Sequence, residues 1–156
     1  MSWSCREAEG MPADPRNPFS SDAWLEAACA LTGGRALHIQ ILKGDEPIGS
    51  AFLHERKGPA GTEVCPPPFG VFHGPSWRAD RRGGDVLAGS EALAEYLASR
   101  YAAATLVLPP PLADVRGFLW KGWTARLHYT WQIPLGDPEA ARRACSDDVR
   151  QSVRKA

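Results

Sequence analysis

The sequence contains no long apolar segment. Of its 156 residues 44% are hydrophobic, but no uninterrupted apolar run approaches the roughly 18–20 residues that span a membrane. The N-terminus, MSWSCREAEGMPADP, is polar and mixed, and it lacks the apolar core of a signal peptide. We therefore expect a protein that has no membrane span and is located in the cytoplasm.

The chain also lacks a net charge. Its formal charge is +0 and its pI is about 6.9, which argues against a general nucleic-acid-binding or membrane-surface protein. The length is that of one domain of ordinary size. Basic residues nevertheless cluster in two places, at Arg78, Arg81 and Arg82 and at Arg142, Arg143, Arg150, Arg154 and Lys155.

The cysteines form no C-x-x-C pair. Cys5, Cys29, Cys65 and Cys145 lie far apart, and the histidines are equally dispersed. Close Cys and His spacing is the usual signature of a zinc site, so we expect no metal site. The cysteines are predicted to be free thiols, with Cys29 in the core of a helix.

Hydrophobic periodicity and turn signals predict alternating helices and strands. Residues 1–18, rich in proline and charge, are predicted to form a flexible arm. The predicted elements that follow are a helix at 23–31, a hairpin of strands at 37–42 and 48–55, a strand at 62–65, a long loop at 66–84, a helix at 85–101, a buried strand at 104–108, a short helix or turn at 112–119, a strand from 123 or 125 to 135, and a final helix capped by Asp137. This order predicts an α/β (α+β) fold with a central mixed sheet and helices on both faces.

Four segments, taken in order, carry a family resemblance. They are PFSSDAWLEAACALTGG, LHIQILKGDEPIGSAFL, FLWKGWTARLHYTWQIPL and VRQSVRKA. They resemble the entry helix, the first hairpin, the Gly-aromatic turn with its strand, and the basic linking helix of the acyl-CoA N-acyltransferase (GNAT) superfamily, and more specifically of its FemAB-type group. The resemblance implies that residues 19–156 form a GNAT-like domain of the FemAB N-terminal type.

FemAB-type proteins transfer amino acids or acyl groups in bacterial peptidoglycan synthesis and related pathways, and they usually carry two GNAT-like domains. The resemblance implies that this chain is the acceptor-side domain, inactive alone, with a small-molecule, peptide or cell-wall precursor as acceptor. It implies acetyl-CoA or aminoacyl-tRNA as donor only in the full-length protein, and no cofactor in this chain. Because the final helix has no Gly or Pro stop, we expect a second GNAT-like domain to follow. The alternative is a free-standing binding or interaction module with a degenerate GNAT fold and no catalysis.

The resemblance also points to one cofactor-binding segment. GNAT proteins hold the pyrophosphate of acetyl-CoA on an Arg or Gln followed by x-x-Gly-x-Gly or Ala, between a strand and a helix. Arg81, Gly83 and Gly84 are the candidates here. Val86 stands where Gly or Ala is required, Asp85 adds a negative charge, and a polyproline loop replaces the direct strand-to-helix connection. The sequence therefore favours a solvated helix start, with Asp85 near the cap, over a CoA site.

The loop PPPFGVFHGPSW provides substrate-binding candidates. Aromatic side chains beside Gly and Pro can line a rigid pocket, which makes Phe72, His73 and Trp77 candidates for contact with an acceptor. The alternative is that the aromatics fill the core beneath a long loop. His73 has no Asp, Glu or Ser at a meaningful spacing, and no catalytic residue is assigned.

The C-terminal region provides the remaining candidates, which would bind an anionic acceptor. Arg126 lies on a predicted strand, where a guanidinium can hold a phosphate or carboxylate. Arg150 and Arg154 share a helix face, with Lys155 beside them. The alternative is a solvated basic helix end that interacts favourably with the helix dipole. Val149 and Val153 form an apolar stripe on the same helix, so we expect contact with the second domain or, in this chain alone, a homodimer.

Overall fold

The computed structural model describes residues 2–9, 19, 21–78, 80–109, 114–129 and 136–155. The chain divides into two compact units, Met1–Ala125 and Arg126–Ala156. The sequence predicts a single domain over residues 19–156, and the boundary between the units falls inside that range.

The first unit contains a mixed sheet. Its strands are β1 (Trp3–Glu7), β2 (Arg35–Lys43), β3 (Glu46–Gly58), β4 (Gly61–Val64), β5 (Pro75–Trp77) and β6 (Ala103–Ala104). Their order is β1-β2-β3-β4-β6, and β5 pairs with β3 beside β4. All pairs are antiparallel except β4 and β6, which are parallel. The hairpin of β2 and β3 turns at Gly44, whose φ of 61° favours glycine.

Three helices accompany this sheet: α1 (Asp22–Thr32), α2 (Gly83–Arg100) and α3 (Arg116–Leu119). The Ser21 side chain caps α1 by accepting from the Trp24 N–H, and Gly33 ends the helix at a φ of 70°. α2 makes the crossover between the parallel strands β4 and β6, as a parallel pair requires. The second unit contains α4 (Pro138–Ala144) and α5 (Asp147–Lys155).

The two long helices lie on opposite faces of the sheet. Leu93 and Leu97 of α2 belong to the buried cluster that contains Leu37 and Leu53 of the sheet. α1 instead contacts side chains that alternate with these, since Thr32 lies 2.8 Å from the His54 ring. The structure therefore has the predicted α/β architecture, a mixed sheet with helices on both of its faces.

β4 and β5 together occupy one position in the sheet. The C-terminal half of β3 pairs with β4, and its N-terminal half pairs with β5 in the register Gly49 to Trp77. The chain leaves the sheet after β4 and returns at His73, which forms a bridge with Val107. The predicted continuous loop at 66–84 is therefore wrong for residues 73 and 75–77.

The N-terminal region also differs from the prediction. A flexible arm is predicted over residues 1–18, whereas Trp3–Glu7 form β1 and pair antiparallel with β2. Trp3 and Cys5 pack against the core cluster. A short amphipathic strand next to charged and proline-rich residues gives little local signal, and the edge of β2 supplies the hydrogen bonds that order it. Residues 10–18 lie outside the described residues.

Two further predictions fail after residue 122. Residues 123–129 form no strand, and Leu127 and Tyr129 are 86% and 93% exposed; the rest of that predicted strand lies outside the described residues. An alternating pattern forms a strand only where another strand pairs with it. The predicted single final helix is interrupted at Cys145, because Ser146-Asp147-Asp148 is itself a helix-start sequence.

The close packing of α3 against α2 leads to a stability prediction. A Cβ built on Gly117 would lie 2.6 Å from the Leu87 carbonyl oxygen and 2.7 Å from the Ser90 Cβ. We expect Gly117→Ala to lower the free energy of unfolding by about 2 kcal/mol, because the α2 backbone cannot yield locally. Gly84→Ala, where no atom lies within 4 Å, is the matched control in chemical unfolding. Equal stabilities would contradict this packing.

Among the residues that the structure describes, no helix combines the length and the apolar character needed to cross a membrane.

Candidate functional site

The start of α2 follows directly from a strand. β5 ends at Trp77 and α2 begins at Gly83, with five residues between them in sequence. The sequence places a polyproline loop where a direct strand-to-helix connection is required, but the structure inserts β5 between that loop and the helix. Arg81, Gly83 and Gly84 therefore stand in the strand–turn–helix setting that favours anion binding.

An acidic side chain already occupies this helix start. Asp85 lies in the first turn of α2 and forms an ion pair of 2.7 Å with Lys43, which ends β2. The hydrogen bond from Lys43 is the main cause that lowers the pKa of Asp85, and the charges of Arg81 and Arg82 act in the same direction. A carboxylate here interacts favourably with the helix dipole and opposes the approach of a phosphate.

Of the three arginines near the start of α2, Arg78 and Arg81 form ion pairs and Arg82 does not. Arg81 forms ion pairs with Glu46 and Asp80, and Arg78 contacts the same two carboxylates. The Arg82 side chain has neither a hydrogen bond nor an ion pair to a described residue and does not cap the helix, although the Arg82 carbonyl accepts from the Asp85 and Val86 N–H groups. This helix start can therefore attract an anion only weakly.

The N–H groups at this helix start are open. Within the described part of the chain the Gly83 and Gly84 N–H groups have no acceptor, and Cβ positions on both glycines face open space. Such N–H groups can donate to an oxyanion. These two N–H groups are the strongest point in favour of anion binding here.

The aromatic candidates of the central loop take part in packing. Phe72 is half-buried, with its ring centroid 6.3 Å from that of Phe19. Trp77 packs against the core cluster and covers Gly49 and Gly89. His73 is only 2% exposed, and its Nε2 accepts the His54 backbone N–H at 2.7 Å. Their assignment to a substrate remains a prediction, with the packing alternative favoured by these contacts.

The C-terminal candidates belong to the second unit. Arg126 and Arg154 are exposed, as is Lys155. Arg150 forms an ion pair with Asp147 one turn earlier in α5. Val149 and Val153 are exposed on the same helix. The chain therefore places these cations and the candidates of the central loop in separate units.

A depression of about 460 Å³ lies between β1, α1 and β2. We call it the acidic depression. It is lined by Glu7, Ala8, Glu9, Asp22, Glu26, Arg35, Ala36 and His38. Arg35 is held by Glu7 at 3.0 Å and by Glu55 at 2.8 Å. Glu9 and Glu26 have no ion pair to a described residue. The remaining carboxylates favour a positively charged or amine ligand.

One side chain of the acidic depression can carry a proton. The Nε2 of His38 lies 3.2 Å from the Asp22 carboxylate, and the His38 ring packs on Phe52 with centroids 4.7 Å apart. A carboxylate beside an imidazole can orient the ring. The sequence alone does not single out His38, because Asp22 and His38 come together only through the packing of α1 on β2.

Among the described residues, no group of three or more His, Cys, Asp or Glu side chains is arranged to hold a metal ion. Comparison with protein-family models, with curated proteins and with solved structures finds no match to this chain.

Proposed function

We propose that this chain is the acceptor-side GNAT-like domain of a bacterial FemAB-type aminoacyl or acyl transferase, and that it is inactive alone. The acidic depression binds the amino group that receives the acyl group. His38, paired with Asp22, accepts the proton that the amine loses on acylation. A second GNAT-like domain supplies the donor site.

The chain order of the sheet supports the fold part of the proposal. An antiparallel hairpin is followed by a strand, a crossover helix and a parallel strand, with a short connection between β5 and α2. This arrangement places an Arg-x-x-Gly sequence at a helix start, where the resemblance requires it. It also brings the basic segment of residues 78–82 to one end of the sheet.

The Asp85–Lys43 pair supports assignment to the acceptor side. The pair places a carboxylate in the first turn of α2, and this negative charge opposes a diphosphate even though the Gly83 and Gly84 N–H groups are open. The candidate cofactor residues Arg81, Gly83 and Gly84 are therefore poorly suited to hold acetyl-CoA by themselves. The donor site is assigned to the second domain for this reason.

The observation that carries the proposal is the acidic depression with a histidine on its wall. An amine acceptor is a cation before it reacts, so carboxylates attract it. The same amine must lose a proton when it attacks an acyl carbonyl, and a histidine close to a carboxylate is suited to receive that proton. Both requirements are met within about 460 Å³ by residues of β1, α1 and β2.

Calorimetry with a lysine-containing peptide tests the proposal. We expect the peptide with a free lysine amine to bind, and the Nε-acetylated peptide to bind about tenfold more weakly, because acetylation removes the charge. Glu26→Gln should weaken binding of the free amine in the same direction. Glu139→Gln, an equal change of charge on exposed α4, is the matched control. Equal affinity for both peptides, or equal effects of the two variants, would refute an amine site in the depression.

The alternative function is a binding module without catalysis, and the Asp85–Lys43 pair is the observation that favours it. Acetyl-CoA in the same calorimeter tests a premise that both functions share, namely that the start of α2 does not hold the donor. We expect no binding by the wild-type chain. Micromolar binding that Gly84→Asp abolishes would instead indicate an active single-domain acyltransferase and overturn both.

The exposed valines of α5 define the proposed contact with the second domain. Val149 and Val153 are 49% and 71% exposed, and each is worth roughly 1.5 kcal/mol or more when fully buried. In this chain alone, a second copy would cover them. Arg126, Arg150, Arg154 and Lys155 remain proposed contacts of an anionic part of the acceptor.

A further inference from the structure

A buried polar cluster joins α1, β3 and the end of β4, away from the acidic depression and from the start of α2. The Thr32 hydroxyl lies 2.7 Å from the Ala28 carbonyl oxygen and 2.8 Å from Nε2 of His54. On the other side of the ring, Nδ1 of His54 lies 3.8 Å from Cys65 Sγ and 3.3 Å from the Cys65 carbonyl oxygen. Cys65 is partly exposed, whereas His54 is fully buried.

These contacts assign the proton of the His54 ring. Thr32 has one hydroxyl proton, and the Ala28 carbonyl can only accept, so that proton goes to Ala28. The Thr32 oxygen then accepts from Nε2–H of His54, which leaves Nδ1 unprotonated. The lone pair of Nδ1 therefore points to the Cys65 side of the ring and can accept the thiol proton.

When Nδ1 of His54 accepts the Cys65 thiol proton, both ring nitrogens of His54 become hydrogen-bond donors. A protonated ring donates from both nitrogens, and here both nitrogens face acceptors, the Thr32 oxygen on one side and the Cys65 carbonyl and sulfur on the other. The backbone of His54 is held as well, because its N–H donates to His73 at 2.7 Å. The base is thus fixed in position before any reaction.

We propose that Cys65 is a nucleophile that takes an acyl group from a thioester, with His54 as its base and Thr32 as the residue that positions the base. This goes beyond the proposed function, because it requires neither the second domain nor the acidic depression. Arg56 lies beside Cys65 and forms an ion pair of 2.7 Å with Glu63 through its Nε, and its other N–H groups can donate to the oxyanion that forms.

The reaction is an exchange between two thioesters. The S–H bond of Cys65 breaks and its proton passes to Nδ1 of His54, while the sulfur forms a bond to the thioester carbonyl carbon. The tetrahedral adduct then collapses and the C–S bond of the donor breaks. The leaving thiolate takes the proton from His54, which leaves S-acyl Cys65, a free thiol and a neutral imidazole.

The charges around the pair define its reactive form. Burial is the main cause that raises the pKa of Cys65, with Glu63 in support and Arg56 opposed. Burial likewise lowers the pKa of His54, with Arg56 in support and the Cys65 carbonyl opposed. His73, the other ionisable group that touches His54, stays neutral near pH 7. The neutral thiol–imidazole pair therefore predominates from about pH 6.5 to pH 9.

The pH dependence of acetylation tests the proposal on the unaltered chain. The probe is S-acetyl-N-acetylcysteamine, and mass spectrometry of peptides gives the rate at each cysteine. Between pH 6.5 and pH 8 we expect a nearly constant rate at Cys65. Cys145, which has no imidazole partner among the described residues, should react steadily faster as the pH rises, because an unassisted thiol reacts only as its thiolate. The same steep rise at both cysteines would overturn the proposal.

Two variants test whether His54 and Thr32 act in the reaction or only stabilise the fold. His54→Gln should slow acetylation of Cys65 by about 100-fold and leave Cys145 unchanged. Thr32→Val should slow it by about tenfold, because the ring can then place its proton on Nδ1 against the Cys65 carbonyl. Melting curves establish that each variant is folded. A folded variant of either kind with an unchanged rate at Cys65 contradicts the role given to that residue.

Discussion

Lowering the pH from 7 to 4 is expected to destabilise the wild-type fold by about 3 kcal/mol more than it destabilises the His73→Gln variant. Burial lowers the pKa of His73 to about 4 from an ordinary value of 6.5, and the positive charge of His54 contributes. The Thr105 carbonyl offsets part of this effect. Because Nε2 of His73 accepts a backbone N–H, a proton at this position cannot be added without breaking that bond.

The sign of the effect follows from which state binds more protons. Between pH 6.5 and pH 4 the unfolded chain carries a protonated His73 and the folded chain a neutral one, so stability falls as the pH falls. Above pH 6.5 both states are neutral and this contribution is complete. His54, whose pKa is also lowered, adds to the same trend in both proteins.

Urea unfolding at several pH values between 7 and 4 measures the difference. Glutamine keeps an acceptor for the His54 N–H but does not titrate, so the acid dependence should be shallower in His73→Gln. His128→Gln is the matched control, because His128 is exposed and lies in the second unit. Parallel curves for wild type and His73→Gln would show that His73 titrates normally and is not held in the core as described.

Elements with local signals could be predicted from the sequence. The hairpin of β2 and β3, the helix α2 and the capped helix α1 all combine a clear periodicity with turn or cap residues close in sequence. β1 and β5 have no such signal, because each is ordered by pairing with a distant strand edge. The same dependence explains the opposite error at residues 123–129, where an alternating pattern meets no partner strand among the described residues.

The candidate site was less predictable than the fold because its contacts are long-range. Lys43 and Asp85 are 42 residues apart in sequence, and His54 and His73 are 19 apart. Their pairing depends on the register of the sheet, which residue types alone do not reveal. The weakness of Arg81–Val86 as a phosphate loop was visible in the sequence, since Asp85 stands there, but the partner of Asp85 was not.

The buried face of α1 shows how a correct helix can be assigned the wrong side. Trp24, Ala27, Ala28 and Leu31 follow the spacing i, i+3, i+4, i+7 and predict one apolar face. Leu25, Ala28, Cys29 and Thr32 follow the same spacing one residue later, and in the structure Leu25 and Ala28 are the buried residues. Because the second set contains a threonine, it looks less apolar in the sequence than the first set. Its hydroxyl is nevertheless satisfied inside the protein by Ala28 and His54.

Leu25→Ala is therefore expected to lower the free energy of unfolding by about 3 kcal/mol, whereas Leu31→Ala should change it by less than about 0.5 kcal/mol. Leu25 is fully buried and Leu31 is 71% exposed, so the same substitution removes core packing in one case and surface contact in the other. Both variants keep a strong helix former in α1, and helix propensity therefore cancels. Chemical unfolding of the two variants measures the difference. The opposite order would restore the face predicted from the sequence and would remove Thr32 from its contact with His54.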